Sequence, residues 1–174
     1  MRFVVTGEWT RNGFLRVIVL CFLFYTFVLW LTNAGMYFAK MSLAPSSVVE
    51  YYLGNEEKYL QPRSLQGLLE VLHFHSFAMG MLLLTLTHLL LFVPISNAIK
   101  AWGIGLAFFS GIGGELAGWG VRFVHPAFAY AKVGMFVTLE VVMLGLMLLV
   151  AHALITSAPS AYGRRGDGAN RPSP

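Results

Sequence analysis

Residues 69–92 read LEVLHFHSFAMGMLLLTLTHLLLF. One carboxylate, Glu70, and three imidazoles, His73, His75 and His88, sit in a run that is otherwise almost wholly apolar. A run of this length is what a bilayer-spanning helix needs. Ionisable groups in such a helix are costly and are retained for function. The stretch therefore fixes a membrane setting and marks where chemistry would sit.

The rest of the chain agrees. Mean hydropathy is +0.68, with 57% hydrophobic and 11% charged residues in 174. The charged share is under half the roughly 25% of soluble domains. Four long apolar segments stand out, at about residues 13–39, 65–93, 98–120 and 126–156. Each exceeds the roughly 20 residues that cross a hydrocarbon core. None alternates as a barrel strand must. The expected fold is all-α: one integral membrane four-helix bundle over residues 1–156, followed by a disordered cytoplasmic tail over 157–174. The first apolar run is too long for the h-region of a cleavable signal and reads as a retained span.

Lys and Arg set the orientation. One side collects Arg2, Arg11, Arg16, Lys100, Arg164, Arg165 and Arg171; the other holds Lys40, Lys58, Arg63, Arg122 and Lys132. Both termini are expected in the cytoplasm of a bacterium, with the protein in the inner membrane. The basic residues are too scattered for nucleic acid. The loop over residues 40–64 is then external. Ser47-x-x-Glu50 is a capping-box pattern that opens a short amphipathic helix, and Gly54-Asn55 stops it. Tyr51, Tyr52 and Tyr59 would lie at the membrane interface. Ser64 caps the second span. The single Cys21 rules out an internal disulfide and a CxxC metal or haem motif within this chain.

Glu70, Glu115 and Glu140 fall within spans, as buried polar groups or a proton relay. Depth sorts the titratable groups into two layers. Glu70, His73, His75, Glu115 and His125 share the outer one; His88 and His152 share the inner one, with Glu140 between. At about 100° per residue, Glu70, His73, Phe77, Met81, Leu84 and His88 fall within one sector, and His75 points about 160° from His73. The third span carries a glycine face, Gly111, Gly114 and Gly118, suited to close helix packing or to a flat macrocycle. Gly134, Gly145 and His152 share one face of the fourth span, where a narrow groove would end at an imidazole.

Paired histidines from different helices at one depth hold haem b in a four-helix bundle. The inner pair is His88 with His152; the outer is His73 or His75 with His125, and Met79 and Met81 are alternative axial ligands. One or two haems would carry electrons across the membrane. Glu70-x-x-His73 is one half of a di-iron pattern whose other half is absent, which leaves a single Zn or Cu site from Glu70, His73, Glu115 and His125. Quinol chemistry beside haem would place its pocket at His125-Pro126, Arg122 and Trp119, which otherwise serve as interface anchors. The remaining alternative is a cofactor-free accessory subunit. Besides the lipid bilayer, the expected partners are other membrane or periplasmic redox subunits. No Walker loop, GxSxG elbow or HExxH appears.

Leu69-Glu70-x-x-His73-x-His75-x-Phe77, then Thr87-His88-Leu89, with Tyr51-Tyr52-x-Gly54 upstream, resembles an uncharacterised group of bacterial small four-helix membrane proteins. The resemblance runs from the second half of the first loop to the end of the fourth span and implies no reaction. In layout the chain is also similar to four-helix b-type cytochromes with one haem per leaflet, which implies haem b and electron transfer. It departs from them in lacking histidine pairs at a fixed spacing on two helices.

Overall fold

A computed structural model describes residues 13–156. The tail over 157–174 and Arg2, Arg11, Arg164, Arg165 and Arg171 lie outside the described residues. Four long helices, α1 (Gly13–Lys40), α3 (Leu65–Leu90), α4 (Asn97–Phe123) and α5 (Phe128–Thr156), are each long and apolar enough to cross a membrane. A short helix, α2 (Pro45–Leu53), follows α1. The protein is an all-helical integral membrane bundle.

Local chemistry explains the helix ends. Ser64 Oγ accepts from the Gly67 amide at 3.1 Å, and Ser96 caps α4 in the same way through Ile99. The second span was expected to run to residue 93, but α3 stops at Leu90. Proline at 94 disfavours helical geometry in the residue before it. The amides of Leu91, Phe92 and Val93 bond instead to His88, Leu89 and Leu90 in tightened turns. α4 runs past residue 120 to Phe123, and α5 begins at Phe128 because Pro126 and Ala127 form the turn.

The capping box is not used. α2 starts earlier, at Pro45, whose missing N–H costs nothing in a first helical turn. Ser47 Oγ instead accepts from the Ser42 amide, and the Glu50 carboxylate binds Lys58 at 2.7 Å and Asn55 at 3.1 Å. Gly54 does stop the helix, at φ 83°. A Cβ there would overlap the Leu60 carbonyl, so the turn needs glycine.

Two hydrogen bonds define the ends of the bundle. Arg16 of α1 donates to the Leu154 carbonyl of α5 at 3.0 Å, so both ends of the described chain share one face. Arg122 of α4 donates to the Arg63 carbonyl before α3 at 2.9 Å on the other face, where α2 sits.

α4 and α5 form the most extensively packed pair. An apolar core fills the terminal side of the bundle, where Leu83, Leu86 and Leu90 of α3 meet Leu146, Val150 and Leu154 of α5. A smaller cluster, Val48, Tyr52, Leu68, Val121 and Ala129, closes the α2 end. α2 is therefore no surface helix resting on its tyrosines. Tyr52 is 5% exposed inside the bundle, Tyr51 is half-buried, and only Tyr59 faces outward. Tyr52 reaches inward because Gly118 of α4 has no side chain; a Cβ there would overlap the phenol oxygen.

Candidate functional site

Between the two clusters lies a cavity of about 470 Å³. All five helices line it. α1 makes little direct contact with α3 or α4, and exposed residues of α1 and α3 (Leu29, Met36 and Ser76) line the cavity, which points to an opening on this lipid-facing side.

Three titratable groups from three helices meet in its wall. His75 of α3 places Nδ1 3.0 Å from Glu115 Oε1 of α4. Lys132 of α5 places Nζ 3.7 Å from that same oxygen. The second distance is an ion-pair separation, beyond hydrogen-bond length. Lys132 is only 9% exposed. A buried charge pair persists when each partner offsets the other's lost hydration. Glu115, flanked by an ammonium and an imidazole, meets that condition. With a proton on Nδ1, His75 donates to Glu115 and leaves Nε2 as an acceptor.

Burial beside the Glu115 carboxylate pushes the Tyr52 phenol above its ordinary pKa, because both disfavour a phenolate. Tyr52 therefore stays neutral through the physiological range. Tyr51 also lines the cavity, with Arg63 stacked 4.0 Å from its ring centroid.

α1 closes one wall through its contacts with α5. The rings of Tyr37 and Phe136 lie parallel, 3.6 Å between centroids at 6°. Asn33 Nδ2 donates to Glu140 Oε1 at 2.7 Å, and Trp30 Nε1 donates to the Glu140 carbonyl at 3.0 Å. Glu140 Oε2 is buried with no partner among the described residues. Glu140 is thus the fastening of α1 to α5 and does not line the cavity.

Of the residues singled out in the sequence, the structure brings His75 and Glu115 together. The sector holding Glu70, His73, Phe77, Met81 and Leu84 faces outward, and the opposite face of α3 enters the core. Glu70 is exposed and accepts from Gln66 at 2.9 Å; His73 is exposed. His125 is exposed in the α4–α5 turn, where its Nδ1 accepts from the Ala127 amide at 3.1 Å. His88 is half-buried, edge-on to Phe92, and His152 is exposed. Met79 lines the cavity, while Met81 points out. His125, Pro126, Trp119 and Arg122 do not border the cavity. Among the described residues, no three of His, Cys, Asp and Glu stand together as a metal-holding group. Glu70, His73, Glu115 and His125 are therefore not assembled as one set.

The glycine face of α4 is divided between helix packing and the cavity wall. Gly118 admits Tyr52, whereas Gly111 and Gly114 line the cavity as bare backbone. Gly134 and Gly145 of α5 face open space, with no neighbouring side chain within 4 Å of where a Cβ would stand. Lys132 was missed. It counted as an outer-face charge, although it lies one turn inside α5, and a lysine in an apolar helix carries the same signal as a glutamate.

Residues 42–161 match the family model Aq_1264_TM, a transmembrane helical domain, and the chain belongs to that family. The match covers α2 to α5 and leaves α1 outside it. No curated protein and no solved structure matches the chain in the same comparisons.

Proposed function

We infer that this member of the Aq_1264_TM family is a proton-handling membrane protein. Its cavity takes a lipid-soluble molecule by the polar end, and His75, Glu115 and Lys132 exchange a proton with it. The single observation behind this reading is the Glu115 carboxylate, held between an imidazole and an ammonium in the wall of a lipid-facing cavity. Buried ionisable groups with a specific charge partner in a cleft are candidate functional groups.

Infrared pH titration of the protein in nanodiscs tests it. A titrating carboxyl band that vanishes in Glu115→Gln, and whose midpoint moves in His75→Asn and Lys132→Met, is expected. A Glu115 that never titrates would reject the reading.

One observation favours haem b as a second reading. A ligating imidazole commonly donates its other N–H to a carboxylate, which fixes the ring and raises its basicity. His75 has that arrangement with Glu115. A haem held through His75 Nε2 would make the chain an electron-carrying subunit beside other membrane or periplasmic redox proteins. His88 and His152, near the terminal ends of α3 and α5, are the residues for a second haem. A reduced-minus-oxidised spectrum with a Soret band that is lost in His75→Ala supports it; a featureless spectrum rejects it. Zn or Cu at His75 and Glu115 would appear instead in elemental analysis. By the Lys/Arg count the α2 end lies outside and both termini lie in the cytoplasm of a bacterial inner membrane.

A further inference from the structure

We propose that the molecule held in the cavity is a quinone, with a carbonyl accepting a hydrogen bond from Lys132. This inference rests on the reading of the cavity as a site for a lipid-soluble molecule and names its class.

The ammonium of Lys132 carries three donors. Its nearest anion, Glu115, stands at 3.7 Å, and the oxygen it faces already bonds His75. Lys132 is 9% exposed and lines the cavity, so its unspent donors are available to whatever fills that space. Among the described residues, no acceptor stands within hydrogen-bond distance of that ammonium.

The acceptor a ligand supplies is neutral. Glu115 and Lys132 already balance each other, and a second anion beside Glu115 in a low-dielectric wall would be repelled. A carbonyl oxygen accepts from the ammonium without adding charge.

The walls select a flat head. On one side stand the parallel rings of Tyr37 and Phe136. On the α4 side, Gly111 and Gly114 line the cavity, and the Lys132 ammonium stands 4.0 Å from where a Gly114 Cβ would lie. A planar ring suits a space bounded by aromatic rings, which favour stacked or edge-on partners. The tail has an exit as well. Leu29 and Met36 of α1 and Met79 of α3 line the side that opens between those helices. A hydrocarbon tail leaving there enters lipid and loses nothing to water.

An ester carbonyl of an acyl lipid offers the same acceptor chemistry without the flat ring. The experiment separates the two. A decyl quinone carrying ¹³C at its carbonyls is titrated into phosphatidylcholine nanodiscs holding the full chain and read by infrared spectroscopy. The expected result is saturable binding and one carbonyl band shifted down from its position in protein-free nanodiscs. Lys132→Met should abolish that shift and weaken binding about ten-fold or more, the usual effect of losing a charged hydrogen bond. Ser76→Trp, on the exposed face of the mouth, should weaken binding while helix content stays unchanged.

Quinone bands identical to those in protein-free nanodiscs would overturn the proposal. So would a shifted lipid ester band in quinone-free nanodiscs that Lys132→Met removes, since it assigns the cavity to an acyl lipid. A Glu115 band that still titrates while no quinone binds overturns the quinone alone. Loss of both overturns the cavity reading beneath it.

Discussion

Nδ1 of His75 on α3 and Oε1 of Glu115 on α4 lie 3.0 Å apart, and that one oxygen also faces Lys132 of α5. Three membrane helices are therefore tied at a single carboxylate. Because α3 is otherwise sparsely packed, this contact helps to set its rotation.

Removing one member of the Glu115–Lys132 pair leaves the other buried and uncompensated. Glu115→Gln and Lys132→Met should each destabilise the fold by about 3–5 kcal/mol. The double variant should recover much of that loss. Thermal unfolding in detergent checks this through a double-mutant cycle; strictly additive losses would show that the pair is not coupled.

Gly118→Ala places a methyl group into the Tyr52 phenol. Overpacking of this kind costs about 1–3 kcal/mol. Adding Tyr52→Leu, which vacates the space, should make the alanine better tolerated than it is beside tyrosine. Equal penalties in both backgrounds would mean that Tyr52 does not sit over Gly118.

Tyr52 also carries a pH signature. Its folded pKa is raised above the ordinary phenol value of 10.0, with burial as the largest cause. The unfolded chain thus loses that proton first. The contribution is fully present below about pH 10 and is lost as pH rises above it. The melting temperature of the wild type should fall more steeply than that of Tyr52→Phe above this point. Parallel slopes would contradict the burial.

Asn33→Leu removes the donor to Glu140 Oε1 and leaves the buried carboxyl without a side-chain partner. A loss of about 1–3 kcal/mol follows from an unsatisfied buried group. Asn33→Leu combined with Glu140→Leu should restore stability. Limited proteolysis of the α1–α2 connection reads the detachment of α1; protection unchanged in Asn33→Leu would show that other contacts suffice.

The sequence made the helices plain, because four apolar runs of spanning length admit no other structure in lipid. It also fixed the angle between His73 and His75, which kept them from sharing one centre. It did not show which face of α3 turns inward. The face bearing Glu70 and His73 holds more titratable groups, yet the face bearing Leu68, His75, Leu83, Leu86 and Leu90 is the one that packs. An all-round apolar helix has no amphipathic asymmetry to reveal its buried side. Lys132 was hidden for a related reason. Near a helix end a lysine reads as an interface anchor, and only the neighbouring Glu115 shows that it turns inward. Tyr52 was legible only through Gly118, since a glycine on α4 says that something approaches without saying what.

Solid-state ¹⁵N NMR of histidine-labelled protein in nanodiscs bears most directly on the His75–Glu115 contact. His75 should show a proton on Nδ1, and Glu115→Gln should shift its ring resonances while those of His73 stay in place. Ring resonances of His75 that ignore Glu115→Gln would contradict the account.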